Sequence, residues 1–134
     1  MTQNRSSFRQ IRRLGPVAAA ALVLALVGCA RRPDRPSWPA FGGDPERGAA
    51  TITTSACGAC HAIPGVAQAK GLVGPPLEHF SRRTIVAGLL PNTPADLIEW
   101  IRFPQKVVPG NAMPDTGLTD AQARDVAAYL YTLK

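Results

Sequence analysis

Hydrophobic and polar positions divide the chain into three stretches of different character. Residues 1–14 are polar and carry Arg5, Arg9, Arg12 and Arg13, and no acidic residue precedes Asp34. From Gly15 to Gly28 the chain reads GPVAAAALVLALVG, 14 residues without a charge. A bilayer-spanning helix needs about 20 apolar residues. The run is too short for a stable span and fits the apolar centre of a secretory signal. From Ala30 to Gly43 the sequence ARRPDRPSWPAFGG shows neither a helical nor a strand period. Its prolines favour an extended tether, rising about 3.1 Å per residue. Trp38 and Phe41 offer apolar surface that either folds back onto the following domain or sits at an interface.

Beyond Gly43 the pattern turns helical. Asp44-Pro45-Glu46 is a helix start, with Asp as N-cap and Pro in the first helical position. The helix is expected to run toward Thr54, with Ala49, Ile52 and Ala56 on its apolar side. Thr93-Pro94-Ala95-Asp96 opens another, with Leu97, Ile98 and Ile101 as its stripe and Pro104 as its stop. Thr119 and Gln122 form a capping box for a last helix. There Ala123, Val126, Ala127, Leu130 and Leu133 fall on one face. A shorter helix is expected near residues 77–84, and no segment alternates well enough for a strand. The fold class expected is all-α, with three to four helices.

Charge changes the picture less than its total suggests. The chain of 134 residues has a formal net charge of +6, which taken whole points toward nucleic acid. Removal of residues 1–28 takes four arginines with it and leaves 106 residues with 11 basic and 9 acidic groups, a net of +2. The positive charge belongs to export, and a nucleic-acid partner is excluded. A body of that size holds one domain and one core.

The uncharged run ends in Leu26-Val27-Gly28-Cys29. These four residues resemble the lipobox of bacterial lipoproteins, where a peptidase cuts before the cysteine and its sulfur carries a diacylglycerol. Each buried acyl CH₂ contributes roughly 0.8 kcal/mol, so two or three chains anchor stably. The resemblance implies a signal peptide over 1–28, a lipidated Cys29 heading a tether over 29–43, and a domain over 44–134. Ala30 follows the cysteine, and a sorting rule of enterobacteria would then favour the outer membrane; inner against outer stays open.

The chemistry lies in Cys57-Gly58-Ala59-Cys60-His61. A C-x-x-C is a dithiol redox pair, half of a zinc site or the front of a haem attachment. Zinc needs four ligands; only His61 and His79 remain, and His61 abuts Cys60 in poor chelate geometry. A thioredoxin-like dithiol needs a strand before it, and a helix is expected there. Haem c accounts for the histidine as well: two thioethers hold the porphyrin, and the adjoining imidazole lies under the iron. Met113 is the one methionine besides Met1. It lies in Pro109-Gly110-Asn111-Ala112-Met113-Pro114, a loop rather than a helix face. It is either a loop side chain packed under a helix or an axial ligand, with His79 as the rival ligand.

From about Gly42 to Lys134 the chain resembles the single-haem, class I cytochrome c family, and within it the small domains associated with haem-copper oxidases. The stretches Gly74-Pro75-Pro76-Leu77, Ser81-Arg82-Arg83-Thr84, Leu90-Pro91-Asn92-Thr93-Pro94 and Pro109–Pro114 carry the likeness. The resemblance implies one covalent haem c held by Cys57 and Cys60, with His61 and Met113 on the iron. It implies that the Pro75 carbonyl accepts the His61 N–H. It places Arg82, with Arg83 as substitute, and Asn92 near the propionates, and Trp100 beside the methionine. Gly48 and Tyr129 match a close crossing of the terminal helices. The implied function is electron transfer rather than enzyme catalysis. The carrier would be tethered on the periplasmic side of a bacterial membrane, with a quinol-oxidising complex as donor and a terminal oxidase as acceptor, and without a small-molecule substrate. Two alternatives are a haem-based gas or redox sensor that releases Met113, and a thiol oxidoreductase using Cys57 and Cys60.

Overall fold

Asp44 starts the first helix as its sequence dictates. Its carboxylate accepts from the backbone N–H groups of Glu46 (2.8 Å) and Arg47 (3.0 Å), satisfying two of the donors that a helix start leaves open. The computed structural model describes residues 42–134. The expected signal peptide, Cys29, nearly all of the tether, Trp38 and Phe41 lie outside the described residues.

Among the described residues four α-helices follow one another: α1 (Pro45–Thr54), α2 (Pro94–Arg102), α3 (Pro104–Val107) and α4 (Asp120–Leu130). Single 3₁₀ turns stand at Cys57–Ala59 and Phe80–Arg82. Thr93 caps α2, and Thr119 with Gln122 caps α4 in the reciprocal box expected of them. Pro104 ends α2 as expected, but it also opens α3, because proline costs nothing at a first helical position. Its side chain is fully buried.

Two expectations need correction. On α1 the buried positions are Gly48 and Ile52; Ala56 is exposed and left-handed (φ 55°) beyond the helix end. A small hairpin also forms, pairing β1 (Ile85–Val86) antiparallel with β2 (Leu90–Pro91). Two-residue strands are too short to show a period-two pattern. The hairpin is set by its turn: the Leu89 N–H donates to the Val86 carbonyl, and Ala87 (φ 55°) and Gly88 (φ 75°) both take positive φ. That is the hand that suits a tight hairpin.

The core is the meeting of α1 and α2 with α4. Ile52, Leu97, Ile101, Ala123, Val126, Ala127 and Leu130 are buried there. The α1–α4 crossing is close: a Cβ on Gly48 would fall on the carbonyl of Asp125 and within 2.9 Å of the Tyr129 Cβ. Beside it Asp125, 7% exposed, receives the Asp44 N–H (2.7 Å) and a two-pronged contact from the Arg47 guanidinium (2.8 Å each). The hydrogen bonds that Arg47 donates to Asp125, with that carboxylate's charge, raise the Arg47 pKa above its ordinary value.

Candidate haem site

The Cys57–His61 segment leaves α1 through left-handed Ala56 and is folded against residues 69–74. The Gly71 N–H donates to Gly58 (3.0 Å), and the Gly74 N–H to Cys60 (2.8 Å). Gly58 permits this approach, since a Cβ there would come within 2.7 Å of the Ala69 Cα. Cys57 and Cys60 are half-buried, free thiols. Burial, reinforced by Cys60, pushes the Cys57 thiol up.

His61 Nδ1 lies 2.8 Å from the Pro75 carbonyl oxygen. A carbonyl only accepts, so the proton of that contact is on Nδ1 and the Nε2 lone pair is left for another partner. Gly74 makes room for the ring: a Cβ there would lie within 2.7 Å of His61 Nδ1 and 2.8 Å of Nε2. Gly74 had no role assigned from sequence. The Gly-Pro-Pro run that contains it was the available signal.

These groups open into one cavity of about 570 Å³. Cys57, Cys60, His61 and Pro75 form one side; Trp100 and Met113 line it from α2 and the loop after α3. Phe80, Val86, Leu77 and Val108 give an apolar wall. Cys57 and Met113, 56 positions apart in sequence, are therefore brought to one chamber.

Other expected site residues stand elsewhere. Arg83, not Arg82, lines the cavity. Its guanidinium lies 5.2 Å over the Phe80 ring and bonds to the Pro76 carbonyl. The Asn92 amide is spent on the backbone. It donates to the carbonyls of Phe80 (3.2 Å) and Arg83 (2.9 Å), and its oxygen accepts from the Tyr131 hydroxyl (2.7 Å). Asn92 thus holds the segment that carries Arg83 rather than reaching the cavity itself. His79 is exposed, and its Nδ1 is 2.7 Å from the Lys134 carbonyl oxygen, away from the cavity lining.

A second hollow, about 420 Å³, lies along α2 and α4. Its charges are paired, Lys106 with Glu99 and both Arg102 and Arg124 with Asp120, and it contains none of the expected site residues. Among the described residues no group of three or more His, Cys, Asp or Glu side chains is placed to hold a bare metal ion. A largely apolar chamber lined by two thiols and an imidazole whose Nδ1 is held by Pro75 suits a macrocycle that brings its own metal donors.

Such a helical domain around such a chamber fits a small haem protein. The chain belongs to the cytochrome c family: the family model "Cytochrome c" matches residues 45–134, and members carry one covalently attached haem c. The chain is 36% identical over 92 residues to cytochrome c oxidase subunit 2 of Alkalihalophilus pseudofirmus, covering 66% of this chain and 25% of that protein. It is 34% identical over 87 residues to cytochrome c oxidase subunit 2 of Bacillus sp. PS3, covering 62% and 24%. It is 43% identical over 60 residues to cytochrome c2 of Rhodopila globiformis, covering 44% and 56%. The match thus spans about a quarter of each oxidase subunit.

Proposed function

We propose that this chain carries single electrons on a haem c bound through Cys57 and Cys60, with His61 Nε2 and the Met113 sulfur as axial ligands. The observation that carries the reading is the convergence of these four side chains on one apolar cavity, with His61 Nδ1 already committed to Pro75. When bound, the haem supplies a one-electron iron couple. The protein's residues set its conditions. The bond to Pro75 fixes the imidazole's tautomer and raises its basicity. The Met113 thioether favours the ferrous state and so a higher potential. Trp100, Phe80 and Val86 keep water from the centre. Held by both His61 and Met113, the iron would offer a substrate no open place. Arg83 is the cation on the cavity wall available to a propionate.

The same proposal takes a terminal oxidase as acceptor, supported by the likeness to two oxidase subunits, and a quinol-oxidising complex as donor. Leu72 (90% exposed) and Val73 (73% exposed) directly precede Gly74, against which the His61 ring packs. They suit an apolar docking patch with weak salt dependence. No helix among the described residues is long and apolar enough to cross a membrane. Membrane attachment on the periplasmic side is assigned instead to a lipidated Cys29, after removal of residues 1–28, with residues 29–43 as tether to the domain at 44–134.

Visible spectra of the purified protein test the ligand set. Reduced haem c bands, a far-red sulfur-to-iron band when oxidised, and no change with carbon monoxide are expected. Carbon monoxide binding by the wild type would favour a sensor, and two titratable thiols in the purified protein would favour a thiol oxidoreductase. For the anchor, Cys29→Ser is expected to abolish acylation and leave uncleaved precursor in the membrane fraction. Unchanged processing would overturn it.

A further inference from the structure

The loop that presents Met113 is held by two side-chain amides. Gln105, on α3, donates from Nε2 to the carbonyls of Asn111 (2.9 Å) and Met113 (2.6 Å), and its Oε1 accepts from the Gly110 N–H (3.1 Å). Both amide hydrogens and one lone pair are committed to three backbone groups of one short loop. The partners settle the amide's orientation, since carbonyls only accept and an N–H only donates. Asn111 completes the tie from within. It donates to the carbonyls of Pro104 (2.9 Å) and Val108 (2.6 Å) and accepts from the Met113 N–H (2.7 Å). Gln105 is half-buried, and its neighbour Pro104 is fully buried, so α3 is a fixed post. Pro109 and Pro114 restrict the loop locally, but Gly110 (φ 79°) and Gly117 (φ 67°) leave it points of conformational freedom on either side of Met113.

We propose that Gln105 is a positioning residue that sets the place of the Met113 sulfur and thereby how firmly it stays on the iron. The inference rests on Met113 being the axial ligand. A thioether must compete with loop opening. A loop already ordered loses little conformational entropy when its sulfur binds, whereas a free loop loses several residues' worth. Gln105 supplies that ordering from outside the loop, where the Met113–iron bond alone would have to impose it. Asn111 adds its own bond to the Pro104 carbonyl, but only Gln105 reaches from α3 to the Met113 carbonyl itself.

The test uses the haem-loaded protein and the variants Gln105→Leu, which keeps bulk and loses all three bonds, and Gln105→Glu, which keeps the acceptor and sets an anion against two carbonyl oxygens. Thr119→Ala is the comparator; it removes a cap of α4 outside the cavity lining. Both Gln105 variants are expected to raise the loop-open population about tenfold or more. That is read as a weakened far-red band, a lowered potential and carbon monoxide binding to the reduced protein. Thr119→Ala is expected to lower the melting temperature while keeping band, potential and carbon monoxide resistance. Gln105 variants that lose only thermal stability, as the comparator does, overturn the proposal while leaving Met113 as ligand. A wild type without the band, or Met113→Ala that retains it, overturns the ligand reading and this one together. If Gln105→Leu does not fold, Gln105→Glu decides the outcome.

Discussion

Gly74 is the residue whose absence of a side chain does most for the site. The His61 imidazole occupies the space that a Cβ would fill. Gly74→Ala is expected to push the ring off the Pro75 carbonyl and to cost about 1–3 kcal/mol. A shifted haem spectrum and lower potential should accompany the lost stability; an unaltered spectrum would count against the cradle. Met113→Ala is expected to remove the far-red band, lower the potential and let carbon monoxide bind the reduced form, while covalent haem stays. An unchanged spectrum and potential would refute the ligand assignment. Cys57, Cys60 and His61 are legible in sequence as one C-x-x-C-H run, whose spacing suits two thioethers and an imidazole meeting one ring; that Met113 joins them is what the family resemblance implies and what Met113→Ala tests. The choice between Arg82 and Arg83 is not legible, because adjacent residues differ only in which way the chain turns.

At the scale of elements, local rules place the helices. Caps at Asp44, Thr93 and Thr119 act within four residues of themselves, so sequence reasoning reaches them. How α1 and α4 approach is decided by Gly48 and Asp125. Gly48→Ala is expected to destabilise the domain by at least about 2 kcal/mol, since the obstacle is backbone rather than a movable side chain. Asp125→Ala leaves the Asp44 N–H and the Arg47 guanidinium without their shared acceptor. With Arg47 65% exposed, solvent recovers part of that loss, and about 2 kcal/mol is expected. Denaturant titration of both variants measures these costs. The β1–β2 hairpin escapes a periodicity reading because its pairing depends on a turn of Ala and Gly, not on a pattern in its strands.

For the whole molecule, the apolar cavity means that the core is completed by what fills it. Cys57→Ser with Cys60→Ser is expected to leave the domain without stable tertiary structure, and a folded, helical double variant by circular dichroism would overturn this. Alkaline pH offers a second whole-molecule measurement. Burial raises the phenols of Tyr129 and Tyr131 above their ordinary 10.0. The unfolded chain ionises first, so the stability they contribute is full below about pH 10 and is lost as pH rises beyond it. Tyr129→Phe with Tyr131→Phe should flatten that loss. It should also lower the plateau, by about 1 kcal/mol for each hydroxyl bond lost, to Pro64 and to Asn92. Melts between pH 8 and 12 give both quantities.

Sequence by itself determined the helix starts, the apolar stripes of α2 and α4, the all-α class and the C-x-x-C-H motif, because each depends on residues a few positions apart. It also identified Met113 as a loop methionine, since Pro and Gly around it prevent a helix there. Tertiary structure decided what distance along the chain conceals. It put Arg83 on the cavity wall, gave the Asn92 amide to Phe80, Arg83 and Tyr131, sent His79 to the Lys134 carbonyl, and set Gln105 against the Met113 loop. A polar side chain takes whichever donor or acceptor the folded backbone brings within about 3 Å. That choice is made only when distant segments meet.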